Sequence, residues 1–327
     1  MKKPVIVSTS MVPNLLQHVL VGIGIGKFHD MVNPMYKEEI QSWIHCDIRS
    51  KFTHKFQKIE GISSSTWFAL LYQIPAYLSD DNVDSLLTVL EMLSTDNPLE
   101  VISRFPEKEK WIREYIPRQE FHNYVGFKGD PSETWTEIIG DFINAIRSGY
   151  EKTFQEKWNT IKPNLTKIGS ELVKEFFSSF DWIKWWEERT SIEFPYSEFN
   201  VELIDTTTTQ GTSLLAERDG FYAHSDSLKI ATVVSHEICT HLLYNRQAME
   251  NAITAPLIKK DLESYLRTVE IISWATNKEV IQEQNLDWTM ATAFDWLGDI
   301  RDDVAGVLDK TTNHWKLIEK GFEMMTR

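Results

Sequence analysis

The stretch from Ser227 to Leu243 constrains this chain more than any other. Leu228, Ile230, Ala231, Val233, Val234, Ile238, Leu242 and Leu243 leave no polar stripe on the helix that their spacing predicts. A helix that is apolar nearly all round is stable in water only when other elements surround it. Asp226 or Ser225 stands where a cap is needed for its first turn. The rest of the chain must therefore build a layered, largely helical body around one buried rod.

Three titratable residues interrupt that rod together: His236, Glu237 and His241. Burying them without partners costs several kcal/mol, and a bound cation offsets that cost. Neutral imidazoles that bind an ion, with a carboxylate to handle the proton of an activated water, are the donor types of a hydrolytic zinc site. The histidines are five residues apart. An α-helix turns about 100° per residue, so positions five apart diverge by roughly 140°. In a regular helix Thr240, not His241, lies over His236. The sequence therefore predicts a widened turn, a π-bulge of the kind often found at functional sites, or a helix that loosens between the two rings. The alternative is two core histidines that point apart, each bonded to a carbonyl.

A catalytic zinc takes three protein ligands and keeps one open position. Glu270, in Thr268-Val269-Glu270-Ile271-Ile272, is an acidic residue in an apolar helical segment and is the preferred third ligand. Glu263 is an alternative in a more polar stretch, as are the acidic residues Asp299, Asp302 and Asp303 beside Arg301. Glu279 and Glu283 read as surface residues. His224, Tyr222, Tyr244 and Tyr265 are candidates for a donor to a developing oxyanion, and Arg246 and Arg267 for holding a substrate carboxylate. Cys239 reads as a small buried hydrophobe.

His236-Glu237-Ile238-Cys239-Thr240-His241-Leu242-Leu243 resembles the His-Glu-x-x-x-His motif of the zinc carboxypeptidase family that includes the microtubule-associated tyrosine carboxypeptidases. That family typically reads His-Glu-Ile-Gly-Thr-His-Leu-Leu. The resemblance implies a gluzincin-like metallopeptidase with Zn2+ as cofactor, His236 and His241 as ligands and Glu237 as general base. A glutamate on a following helix is the family's third ligand. The match is confined to the motif helix. Cys239 replaces the family's glycine, and its Gln-Glu-Gly-Leu-Ala-like segment is absent from this chain.

Up to about residue 190 the sequence reads helical: Asn14 to Phe28, Lys37 to Phe56, Val83 to Leu93 after Ser79-Asp80-Asp81, Thr134 to Tyr150, and Ile168 to Trp186. Joints such as Ser94 to Pro98 and Lys128 to Pro131 separate these runs. Phe194-Pro195-Tyr196 breaks the pattern. Short strands then follow at Val201 to Ile204, Leu214 to Ala216 and Gly220 to His224, with Asp219-Gly220 as a turn signal. Further helices are expected at Leu257 to Ala275, Thr289 to Leu308 and Asn313 to Met325. The expected architecture is mainly α within the α+β class. A helical domain over 1–190 precedes a gluzincin-like domain over 191–327, with a small sheet and the motif helix.

A formal charge of −14 disfavours a phosphate backbone as partner, so nucleic acid is not expected. No run of about eighteen uninterrupted apolar residues suggests a membrane span. The apolar run Pro4 to Val7 is short, and Ser8, Thr9, Ser10 and Pro13 break it, so it does not read as a secretory leader. A cytoplasmic location is expected, with a peptide or protein as substrate. Gly22-Ile23-Gly24-Ile25-Gly26-Lys27 is one residue short of a phosphate loop, and Phe28 stands where Ser or Thr is needed. Trp182, Trp185 and Trp186 read as core. Two other readings of the chain stand beside the peptidase: a zinc hydrolase of a non-peptide amide, and a helical binding or regulatory protein with a degenerate or structural metal site.

Overall fold

The computed structural model describes residues 2–23, 31–36, 69–108, 133–208, 210–215, 217–244, 250–287 and 313–326. The expected helices at Lys37 to Phe56 and Thr289 to Leu308 lie outside the described residues. So do the joint Lys128 to Pro131, Arg246, and the acidic group Asp299, Asp302 and Asp303 with Arg301.

In chain order the elements are β1 (Val5–Ser8), α1 (Met11–Ile23), α2 (Ile74–Leu78), α3 (Val83–Thr95), α4 (Pro98–Ser103), α5 (Glu133–Gly149), α6 (Gln155–Leu172) and α7 (Trp182–Thr190). Then come β2 (Phe199–Ile204), β3 (Thr212–Leu215), β4 (Arg218–Tyr222), α8 (Ser227–Leu243), α9 (Thr254–Lys260), α10 (Leu262–Glu283) and α11 (His314–Met325). Helix predominates, and the strands form one sheet in the order β1-β2-β4-β3. This is the α+β architecture that the element order predicts. Among the described residues no helix is long and apolar enough to cross a membrane.

The chain gathers into two compact units, neither continuous in sequence. One comprises Met1–Val7, Glu171–Val201 and Ser225–Arg327; the other comprises Ser8–Ser170 and Glu202–His224. The sequence reading divides the chain once, near residue 190; the contacts divide it in an interleaved way.

In the second unit α1 is buried along its whole length. Its polar residues find partners there. Asn14 donates from Nδ2 to the Leu203 carbonyl at 3.0 Å and accepts from the Asp205 amide at 3.0 Å. Gln17 donates to Tyr72 at 2.6 Å. The cap of α3 is Asn82, which accepts from the Ser85 amide, rather than the preceding acidic pair. Asp81 instead accepts from the Val12 amide at 3.0 Å. The predicted turn at Asp219-Gly220 lies inside β4, where Thr212 pairs with Gly220 and Ser213 with Asp219. Gly220 meets a packing need: a Cβ there would stand 3.2 Å from Ile204 Cγ1.

The expected run Ile168 to Trp186 is not one helix. The chain leaves a π-turn at Val173–Phe177, and Asp181 restarts it by accepting from the Lys184 amide. Trp182 and Trp186 are fully buried; their indoles donate to the Phe176 carbonyl at 2.9 Å and to Ser235 Oγ at 3.0 Å. Asp261 likewise splits the expected run at Leu257 to Ala275, accepting from the Ser264 amide at the start of α10. The short strand β1 reads in hindsight from its β-branched Val5-Ile6-Val7.

Candidate metal centre

Helix α8 begins where the sequence predicts, with Asp226 accepting from the Lys229 amide at 3.1 Å. Thirteen of its seventeen residues are buried, so it is the enclosed rod that its composition demands. Helix α10 packs along it within the same unit. Asn277 donates from α10 to the Thr232 carbonyl at 2.8 Å, one turn before the motif.

The expected widened turn is not there. Helix α8 keeps regular α-helical bonding from Ser227 to Leu243 and ends with the Tyr244 amide on the Thr240 carbonyl. With about 100° per residue retained, the two imidazoles leave the rod roughly 140° apart. The apolar neighbours on every face explain the regularity, because an inserted residue would turn Ile238, Leu242 and Leu243 out of their packed positions.

The motif residues consequently form two pairs. His236, 1% exposed, has Nε2 at 3.0 Å from Oε2 of Glu270 on α10. Glu237 and His241, four apart on one helical face, have ligand atoms within 4.8 Å of each other. The His241 ring is buried and lies 5.9 Å from that of Phe199. Among the described residues, His236, His241 and Glu270 do not come together as one set of ligand atoms within 4.8 Å.

Glu270 is held from a second side. Tyr244 donates its hydroxyl to Glu270 Oε1 at 2.6 Å and also lies 3.3 Å from the Leu266 carbonyl. Tyr265, from α10, donates back to the Leu243 carbonyl at 2.9 Å. The general-base candidate has a neighbour in Thr240, whose hydroxyl lies 3.0 Å from the Glu237 carbonyl and 3.2 Å from Glu237 Oε2. Glu237 and Glu270 are both partly exposed.

Two ligands of a tetrahedral zinc, each at about 2.0–2.1 Å, are separated by roughly 3.3 Å. The 3.0 Å between His236 and Glu270 fits such a pair, and equally fits a shared proton. His241 stands beside Glu237 instead. Among the alternatives, Glu263 is exposed and forms an i,i+4 ion pair with Arg267 at 2.6 Å. It is a solvated face, and Arg267 is committed to it. Glu279 is not the surface residue its sequence suggests: it is mostly buried, 3.8 Å from Arg189. Burial pushes the Cys239 thiol well above its usual range despite a hydrogen bond with Ser273, so it stays protonated and is a poor ligand. His224 belongs to the other unit, where its Nε2 meets Asp205 Oδ1 at 2.6 Å.

Sequence reasoning found both members of the His236–Glu270 pair from polar residues in apolar runs. It missed the grip of Tyr244 on Glu270, whose only signal was an aromatic with a polar end at the close of a buried helix. No protein-family model, no curated protein and no solved structure matches the chain.

Proposed function

We propose that the chain is a zinc-dependent hydrolase, most simply a metallopeptidase, in which His236 and Glu270 would hold the ion and His241 would join them only on a change of helix pitch at the motif. The observation that carries this reading is the 3.0 Å approach of Glu270 Oε2 to His236 Nε2. It joins the residue that composition selects as an acidic intruder to the first histidine of the motif. When bound, the ion supplies a Lewis acid that polarises a carbonyl and acidifies water. Glu237, partly exposed and beside Thr240, takes the proton of the attacking water and returns it to the leaving amine. The substrate is a peptide or protein, and a non-peptide amide is open to the same chemistry.

A second reading has its own support. Regular helical bonding through the motif, with both Glu270 oxygens occupied by His236 and Tyr244, suits a hydrogen-bonded cluster that fixes α8 to α10. The chain is then a helical binding or regulatory protein without a working centre. Metal content of the purified full chain, followed by cleavage of a mixed peptide pool, separates the two. One equivalent of zinc and hydrolysis lost in Glu237→Gln is the result expected of the hydrolase. Absence of stoichiometric zinc after loading supports the second reading and removes the first.

A further inference from the structure

We infer that Asp205, His224 and Tyr222 form a reactive site of their own, in which His224 moves a proton for the hydrolysis of an uncharged carboxylic ester. All three lie in the unit that comprises Ser8–Ser170 and Glu202–His224. The sheet brings them together. The Ala223 amide donates to the Ile204 carbonyl at 2.9 Å, which makes neighbours of Asp205 and His224, just beyond the ends of β2 and β4. Asp205 is 1% exposed, and its backbone is fixed from both sides. Its amide donates to Asn14 Oδ1 and its carbonyl accepts from Asn33 Nδ2, each at 3.0 Å. Its Oδ1 lies 2.6 Å from His224 Nε2, and its Oδ2 is buried without a hydrogen bond.

A carboxylate only accepts, so Nε2 carries the proton and Nδ1 keeps the lone pair of the neutral ring. The His224 side chain is 31% exposed, and its Nδ1 makes no hydrogen bond to the described residues. A buried acid thus fixes tautomer and orientation while the far nitrogen is left for a substrate, the division of labour of a general-base dyad. The Tyr222 ring stands edge-on, 5.5 Å from the imidazole. Burial and the Asp205 charge raise the pKa of its hydroxyl, which stays protonated as a donor to a developing oxyanion. Among the described residues, Asp205 is the one charge that acts on His224. No cation is there to hold a phosphate or a carboxylate, so the site suits an uncharged acyl group. Nδ1 takes a proton from water as the water oxygen bonds to the acyl carbon. The carbon–oxygen bond to the alcohol then breaks, and the proton passes to the departing alkoxide, leaving a carboxylic acid and an alcohol.

The probe is ethyl difluoroacetate, an uncharged ester whose alkoxide leaves poorly without a proton. The acid released by the full chain is titrated at constant pH in EDTA, which keeps the test independent of the zinc reading. His224→Gln is expected to lower the rate by about 100-fold. Tyr222→Phe is expected to lower kcat and leave the pH midpoint in place. The wild-type rate should rise with pH through a midpoint above 6.5, because the deprotonated ring is the base. As a positioning residue, Asp205 is expected to act on both quantities: Asp205→Asn lowers the rate and brings the midpoint down toward 6.5. Wild-type hydrolysis no faster than that of His224→Gln overturns the inference, and so does a wild-type midpoint at or below 6.5, a result that stands even where Asp205→Asn fails to fold. A folded Asp205→Asn with the wild-type midpoint overturns it too. Hydrolysis that EDTA abolishes and zinc restores also overturns it and assigns the activity to the metal reading instead.

Discussion

Glu237 and His241 share one face of α8, four residues apart, and their ligand atoms lie within 4.8 Å of each other. On that face the carboxylate is partly exposed, and the Thr240 hydroxyl lies 3.2 Å from one of its oxygens. Replacing Glu237 by Gln keeps shape and removes the base. On the hydrolase reading, zinc content is unchanged and turnover falls by about 100-fold or more, the scale of general-base catalysis. Parallel metal analysis and peptide cleavage check this, and unchanged turnover would refute the assigned role.

The His236–Glu270 pair makes a different prediction. Each member supports the other, and removing Glu270 takes that partner from the buried His236 ring. Glu270→Gln and His236→Ala are expected to cost more zinc affinity than the roughly 10–100-fold of an outer-shell loss. Chelator competition measures it. Either variant binding zinc as tightly as wild type would exclude that residue as a ligand.

Acid should unfold this protein through its buried histidines. Burial and a neighbouring cation, Lys157 for His18 and Arg189 for His314, push both rings down to about 3. In the unfolded chain a histidine takes up its proton near pH 6.5. Between those limits the unfolded state binds more protons, so the stability these rings contribute is present above pH 6.5 and is lost as pH falls toward 3. The slope approaches about 1.4 kcal/mol per pH unit for each ring. Urea midpoints from pH 7 to pH 4 test this, with His314→Gln expected to flatten the decline. An equal decline in the variant would show that His314 is not its source.

His224 behaves in the opposite sense. Its hydrogen bond with Asp205 raises its pKa, against a smaller opposing effect of burial. The stability from that pair is therefore fully present below pH 6.5 and is lost as pH rises through the higher folded value. Proton NMR of the His224 ring should show a midpoint above 6.5 that Asp205→Asn brings down. A midpoint already at 6.5 in the wild type would contradict the pairing.

Two glycines separate packing from propensity. Gly220 would press a Cβ to 3.2 Å from Ile204, whereas Gly140, inside α5, has nothing within 4 Å of that position. Gly220→Ala is expected to destabilise by about 1–3 kcal/mol through overpacking. Gly140→Ala is expected to stabilise by about 0.5–1 kcal/mol, because alanine favours helix. Denaturant midpoints decide both signs.

The legible parts of this fold were those fixed by local chemistry. Apolar residues on every side identified α8 as buried, Asp226 marked its start, and Glu270 stood out as a charge among Ile and Val. The illegible parts depend on distant neighbours. Asp219-Gly220 has turn composition, yet Gly220 lies within a strand where Ile204 approaches closely from another strand. Glu279 looks solvated until Arg189 arrives from α7. The motif itself reads as a reason to widen the helix, and the packed side chains around Ile238 and Leu242 hold it regular. Spacing along a chain does not reveal how strongly surroundings resist a change of pitch.

The interleaved division of the chain has a consequence for anyone who dissects it. Residues 171–201 and 225–327 belong to one compact unit, and the insertion between them, residues 202–224, belongs to the other along with 8–170. A single stop codon or start site placed within residues 8–224 therefore truncates both bodies at once. Expression of a C-terminal fragment bearing the motif would strip β1 and leave strand fragments with no home, so its failure to accumulate says nothing about the motif. Splitting the gene at an exposed loop and co-expressing the halves is the dissection that respects the threading.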